Sequence, residues 1–251
     1  MRLEVASLSH IGNVRQRNED AIGYVEPSEP RVREKKGSMF IVADGMGGHR
    51  GGEIASQLAV DTIIAHYYAS RESNPSMALD QAFKEANRLI VDKSRSDVSL
   101  YGMGTTCTVL VIRDREGYVA HVGDSRAYLL RSGNLIQLTE DHSLVGEMVR
   151  QGILTDEDAR THPRRNVITR SIGTHDDLSV DAPSAPLPLL DGDVFMICSD
   201  GLTSLVAERD LKSVLELNPP RAACDGLVDL AIDNGGKDNV TVQVVRVRGD
   251  G

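Results

Sequence analysis

The sequence has no tryptophan, and only three phenylalanines and six tyrosines among 251 residues. So few rings leave little on which successive bases could stack, which speaks against a single-strand nucleic-acid binder. Positive charge is also short. Lys and Arg number 28 against 37 Asp and Glu, a formal net charge of −9. That balance excludes a broad phosphate-neutralising face and adhesion to an anionic membrane. Cysteine is scarce: Cys107, Cys198 and Cys224 stand far apart, with no CxxC. An odd count at long spacing fits neither a disulfide framework nor a zinc site and suits a reducing cytosol. Cys107 and Cys198 sit in apolar runs and read as small buried hydrophobes. The longest apolar run, residues 105–112, is far short of the roughly 20 residues that span a bilayer. No apolar signal core follows Met1-Arg2-Leu3-Glu4. These absences predict a cytoplasmic protein that starts at its own initiator Met, with neither nucleic acid nor membrane as partner.

The chain is 40% hydrophobic and 26% charged, the balance of a folded globular protein. Its length allows one large domain or two small ones. Residues 22–25 and 39–43 read as strands flanking a polar hairpin or loop at 26–38. Ala55, Leu58, Ala59, Thr62, Ile63 and His66 form one helical stripe; Leu79, Ala82, Phe83, Ala86, Leu89 and Ile90 form another. Asn74-Pro75 between them combines a good cap with a proline suited to the first helical turn. The two stripes predict an antiparallel helix pair. Residues 105–112, 118–122, 127–130 and 135–138 are β-rich and separated by turns, which predicts an antiparallel meander. A short helix near 144–150, an apolar strand at 194–198, helices near 207–217 and 221–234 and a strand at 240–247 complete the chain. Strands and helices come in blocks, which favours an α+β fold over a doubly wound one.

Several acids stand at strand ends. Residues 39–43 run into Asp44-Gly45, 120–123 into Asp124, and 194–198 into Ser199-Asp200; Glu19-Asp20 and Asp238 precede strands. A carboxylate at a strand tip is rigidly held with its head free. Turn chemistry accounts for any one of them; five in one chain suggest a shared site. Carboxylates gathered in one pocket cannot all stay ionised unaided. Hard divalent cations relieve that repulsion, and without Cys/His clusters Mg²⁺ or Mn²⁺ is favoured over Zn²⁺. The glycine-rich run 45–52 lacks GK[ST] and the GxGxxG spacing, so it reads as a flexible connection into the first helix.

Nine short stretches then occur in a telling order: Gly12-Asn13-Val14-Arg15-Gln16-Arg17-Asn18-Glu19-Asp20; Val42-Ala43-Asp44-Gly45-Met46-Gly47-Gly48-His49; Gly52-Glu53-Ile54-Ala55-Ser56; Gly104-Thr105-Thr106; Val122-Gly123-Asp124-Ser125-Arg126-Ala127-Tyr128; Leu138-Thr139-Glu140-Asp141-His142-Ser143; Arg170-Ser171-Ile172-Gly173; Cys198-Ser199-Asp200-Gly201-Leu202; and Lys237-Asp238-Asn239-Val240-Thr241. Together they resemble the metal-dependent serine/threonine protein phosphatases of type 2C, in their bacterial single-domain form. The resemblance implies a four-layer α-β-β-α sandwich, two antiparallel sheets flanked by helix pairs, as one catalytic domain over residues 1–251 with a flap at about 143–177. It implies two Mn²⁺ or Mg²⁺ ions bridged by Asp44 and joined by the Gly45 carbonyl. Asp200 and Asp238 complete one shell, and Glu19 and Asp20 hold waters. Asp124, with Asp200, forms a third-metal site. Arg15 binds the substrate phosphate.

The activity implied is hydrolysis of phosphoserine and phosphothreonine on proteins, opposing a cognate bacterial Ser/Thr kinase, by a monomer. Two cations make hydroxide available near neutral pH, and Arg15 and the ions neutralise the phosphoryl group. Eukaryotic members carry His directly after the bridging Asp-Gly, where this chain has Met46. His49 is then the side-chain candidate for general acid, beside a metal-held water and the plainer reading of a surface histidine. Asp141-His142 reads either as an acid/base pair or as a helix cap beside a positioned histidine. Arg164-Arg165 on the flap is either an exposed charge pair or a contact for phosphoprotein. Two rival functions stand beside the phosphatase: a catalytically silent phosphoprotein-binding relative, and another two-metal phosphohydrolase such as a nuclease.

Overall fold

The computed structural model describes every residue except Gly48, His49, Ser184, Asp250 and Gly251, and Asp156 without its side chain. The chain begins with β1 (Arg2–His10), β2 (Asp20–Val25), α1 (Pro30–Lys36) and β3 (Ser38–Met46). The helices α2 (Gly51–Ala69) and α3 (Pro75–Ser96) follow, then β4 (Gly104–Thr105), β5 (Cys107–Arg113), β6 (Glu116–Val122), β7 (Arg126–Arg131) and β8 (Asn134–Gln137). Next come α4 (Leu144–Arg150), α5 (Asp156–Thr161), β9 (Leu187–Pro188), β10 (Val194–Cys198), α6 (Asp200–Thr203), α7 (Glu208–Leu217), α8 (Pro220–Asp233) and β11 (Val240–Arg248).

The strands form two antiparallel sheets, ordered β1-β11-β10-β7-β8 and β2-β3-β5-β6-β9, with β4 beside β3. Strand alternation assigns each residue a layer. Met39, Ile41 and Ala43 of β3 pack with Ala55, Ile63, Phe83 and Ile90 of α2 and α3. Val194, Met196 and Cys198 of β10 pack with Leu211, Leu215 and Leu227 of α7 and α8. Phe40, Val42, Phe195, Ile197, Val245 and Val247 fill the space between the sheets. The expected α-β-β-α sandwich is therefore present, and Cys107, Cys198 and Cys224 are all buried free thiols. Asn74 caps α3 by accepting from Ser76 and Met77 N–H, with Pro75 at its start.

Four sequence expectations need correction. Residues 26–38 contain α1, which a periodicity search misses because the helix buries no side chain. The expected four-stranded meander is two hairpins in different sheets: β5–β6 belongs to one and β7–β8 to the other. The crossing at residues 123–125 carries Asp124 between the sheet ends. β3 does not stop at Ala43 but runs to Met46, because β4 pairs with Gly45 and Met46. Finally, Gly51 and Gly52 are the first turn of α2 rather than part of a flexible connection. A Cβ on Gly52 would lie 2.8 Å from Glu19 Cδ and from Gly45 C.

Candidate metal and phosphate site

The inter-sheet layer is apolar along most of its length and becomes polar at one end. On β3 the residues facing it are Phe40, Val42 and then Asp44. Asp20 of β2 is the cross-strand partner of Asp44, so the two carboxylates share one face. On β11 the odd positions facing the layer are Val247 and Val245, then Gln243 and Thr241, all buried. β10 delivers Asp200 at the first turn of α6, and Asp238 lies just before β11. Asp124 enters from the crossing between β6 and β7.

The backbone that carries these acids is pinned from several sides. Asp44 O accepts from Thr106 N–H and from the Thr105 hydroxyl, both at 2.9 Å. Asp44 N–H donates to Thr106 Oγ1, which shares a 2.7 Å hydrogen bond with Ser125 Oγ. The Glu19 carbonyl accepts from Gly45 N–H at 3.1 Å and Ser56 Oγ at 2.6 Å. Asn239 Oδ1 accepts from Glu19 N–H, while its amide donates to Ile11 O and Arg17 O. That one side chain straps loop 11–19 to the start of β11. Ser199 Oγ donates to Asp20 Oδ2 at 2.8 Å and accepts from Thr241 N–H. Gly201 is obligatory, since a Cβ there would come within 1.9 Å of Asn239 O.

Electrostatics shows how tightly the carboxylates are gathered. Desolvation, then the charge of Asp20, Asp200, Asp124 and Asp238, pushes the Asp44 carboxyl well above the usual range. Burial pushes Asp20 up to about 7, despite hydrogen bonds to Thr241 and Ser199 that favour its ionised form. Asp200 rises to about 6, through desolvation and Asp238, although a hydrogen bond to Asp44 pulls it down. Asp124 is raised by desolvation and by Asp200, and Glu19 chiefly by desolvation. Among the described residues, no hydrogen-bond donor reaches the buried Asp20 Oδ1 or Asp124 Oδ1. Buried oxygens of this kind normally have a partner; orphaned carboxylate oxygens among mutually repelling acids fit a hard cation and its waters. Among the described residues, no three His, Cys, Asp or Glu side chains form a finished coordination group. Asp238 Oδ2 is paired with Arg15 at 2.7 Å.

Most of the residues expected in the site lie here: Arg15, Glu19, Asp20, Asp44, Gly45, Asp124, Asp200 and Asp238. His49 falls outside the described residues. Asp141 does not cap α4. It grips Arg126 with both oxygens, at 2.8 and 2.7 Å, and Ser143 is the cap, accepting from Gly146 N–H. Ser125 and Ser199 are likewise committed to Thr106 and Asp20, so neither is placed as a nucleophile. Thr105, Thr106, Ser199 and Asn239 were not legible as functional, although Gly104-Thr105-Thr106 had stood in the ordered set without a role. A cavity of about 300 Å³ adjoins the acids, lined by Asp124 and Asp200 on one side and by Val145, Arg150 and Arg165 of the flap on the other.

Residues 9–219 match the family model described as Protein phosphatase 2C. The serine/threonine phosphatase stp of Listeria monocytogenes serotype 4b (strain F2365) is 37% identical over 242 residues, covering 93% of this chain and 92% of that protein. The crystal structure of the serine/threonine phosphatase Stp1 from Staphylococcus aureus superposes with a TM-score of 0.88 at 32% identity, over 99% of this chain and 96% of that one. The catalytic domain of the serine threonine protein phosphatase PstP, solved in complex with 2 manganese ions, superposes with a TM-score of 0.84 at 32% identity, over 98% and 99% of the two chains. With its sandwich fold and a polar end ringed by six acids, this chain belongs to the protein phosphatase 2C family.

Proposed function

We propose that the chain hydrolyses phosphoserine and phosphothreonine on proteins as a single catalytic domain, opposing a Ser/Thr kinase in the cytoplasm, and that it acts as a monomer. The observation that carries this reading is the ring of acids around Asp44, in which Asp20 Oδ1 and Asp124 Oδ1 are buried without donors among the described residues. No helix of the described chain is long and apolar enough to cross a membrane.

Two divalent cations, Mn²⁺ or Mg²⁺, would supply an activated water and offset the charge of the transferring phosphoryl group. Asp44 and the Gly45 carbonyl, with Asp200 and Asp238, would hold them; Glu19 and Asp20 would orient their waters. Asp124, with Asp200, would hold a third ion. Arg15 is half-exposed on the rim, at 49%, and its guanidinium can grip two phosphate oxygens at once. Its present partner is Asp238, itself 31% exposed, so exchanging that carboxylate for phosphate costs only about 0–1 kcal/mol of lost ion pairing. Met46 has no proton to give to the leaving seryl or threonyl oxygen. His49 or a water must provide it, and the pH profile of His49→Ala separates the two. The flap cavity beside Asp124 would receive the peptide around the phosphoresidue.

Hydrolysis of a phosphothreonine peptide with Mn²⁺, and its loss in excess chelator, tests this reading. Undiminished turnover in chelator would overturn the metal mechanism. Binding of the peptide without any turnover would make the chain a silent relative.

A further inference from the structure

A second polar cluster adjoins Asp124, built around the backbone of Gly123 by His121 and His142. β6 ends in His121-Val122, and Gly123 follows with φ +116°, where a Cβ would lie 2.4 Å from Thr106 Cβ. Histidines take both of its backbone polar groups. The Gly123 carbonyl accepts from His142 N–H at 2.7 Å and from His121 Nε2 at 2.9 Å. The Gly123 N–H donates to His142 Nδ1 at 3.0 Å. A backbone N–H can only donate, so Nδ1 of His142 is bare and its ring proton sits on Nε2. Nε2 stands between two groups, Asp181 Oδ2 at 3.1 Å and Arg170 Nη1 at 3.0 Å; its proton goes to the carboxylate, the only acceptor of the two, while Arg170 Nη1 donates to the other Asp181 oxygen at 2.6 Å.

The same imidazole also stands at the base of the flap. His142 immediately precedes the flap, its carbonyl accepts from Thr169 N–H at 2.8 Å, and Ser143 pairs with Ile168. Asp181, beyond the flap, pairs through its backbone with His121 on β6. His142 is 3% exposed, so the ring has no room to swing between partners. The two ends of the flap and the turn carrying Asp124 therefore meet at one residue, its backbone holding the flap ends and its ring holding Gly123, Asp181 and Arg170.

We propose that His142 is a positioning residue whose imidazole, oriented by Asp181 and Arg170, ties the Gly123–Asp124 turn to the flap base and so sets the place of the Asp124 carboxylate. This rests on the proposed function only through the metal-binding role given to Asp124. Groups that orient a ligand from behind typically change metal affinity or activity by about 10–100-fold when removed.

The test compares Mn²⁺ binding isotherms of the wild type, Asp124→Ala, His142→Ala, His142→Asn and Asp181→Asn. The step lost in Asp124→Ala defines the Asp124 site. In His142→Ala that step should weaken roughly 10–100-fold, the tighter steps staying unchanged. Amide exchange across residues 144–166 should speed up while α2, α3, α7 and α8 keep their protection. His142→Asn should restore binding to within a few-fold, because the Asn oxygen can stand where Nδ1 accepts from Gly123. Asp181→Asn, an isosteric change on a half-exposed residue, should show a smaller weakening in the same step, and it carries the test if His142→Ala does not fold. The proposal is overturned if folded His142→Ala or Asp181→Asn gives the wild-type isotherm. It is also overturned if all steps weaken alike, or if Asp124→Ala itself changes nothing. Wild-type hydrolysis of the phosphothreonine peptide in the same buffer reports on the phosphatase reading separately.

Discussion

Asp20→Asn should make the chelator-treated protein more stable at pH 8. The wild-type carboxyl, pushed up to about 7 by burial, ionises in the fold far less readily than in the unfolded chain. A displacement of that size corresponds to roughly 4 kcal/mol of ionisation penalty above pH 7. The penalty is absent below the unfolded value near 4 and complete above the folded one, so wild-type stability falls relative to the variant across that window. The substitution keeps an oxygen for the Ser199 hydroxyl but puts an amide where Oδ1 has no partner, which costs about 1–3 kcal/mol if it stays unpaired. A net gain near 2 kcal/mol remains, about 4–8 °C in Tm for a chain of this length. Thermal melts of both proteins from pH 4 to pH 8, in excess chelator, provide the measurement. Saturating Mn²⁺ should reverse the order, since binding to the native state alone adds about 2.7 kcal/mol at a hundredfold excess over Kd. A chelated variant no more stable than wild type at pH 8, or a difference that does not change with pH, would refute the reasoning.

Other consequences follow from the site and from the packing around it. Asp44→Ala should remove phosphopeptide hydrolysis in Mn²⁺ while leaving the far-UV spectrum intact, as steady-state assays and circular dichroism would show. Arg15→Ala should act mainly on KM, with Arg15→Lys restoring part of the loss, because Lys supplies the charge without the two-pronged grip; kinetics with p-nitrophenyl phosphate measure both. Gly201→Ala should unfold or severely destabilise the protein, since its Cβ would lie 1.9 Å from Asn239 O. Gly226→Ala, in α8 with no neighbour nearer than 3.6 Å, should instead stabilise by about 0.5–1 kcal/mol in chemical denaturation.

The parts of the molecule that were legible in sequence are those whose pattern is repetitive or whose chemistry is confined to one side chain. The stripes of α2 and α3 and the apolar run of β10 announce themselves by period, and the acids at strand tips by position. The rest depends on contacts between distant segments. α1 buries nothing, so no hydrophobic period marks it. The chain leaves one sheet for the other at Gly123–Ser125, and two adjacent hairpins look the same in sequence whether they share a sheet or not. Ser199 and Thr241 stand 42 positions apart, and Asn239 is 220 from Glu19. Such partnerships exist only once β1, β2, β10 and β11 have come together. The histidine cluster beside Asp124 was half legible: Asp141-His142 stood out as a pair, but Asp141 serves Arg126 and His142 serves Gly123.

Anomalous scattering at the manganese edge, from crystals of the protein grown with Mn²⁺, would locate the ions directly. The account predicts two strong peaks among Asp44, the Gly45 carbonyl, Asp200 and Asp238, with Arg15 released from Asp238, and a weaker one at Asp124. Peaks confined to other parts of the surface, with Arg15 still paired to Asp238, would contradict it.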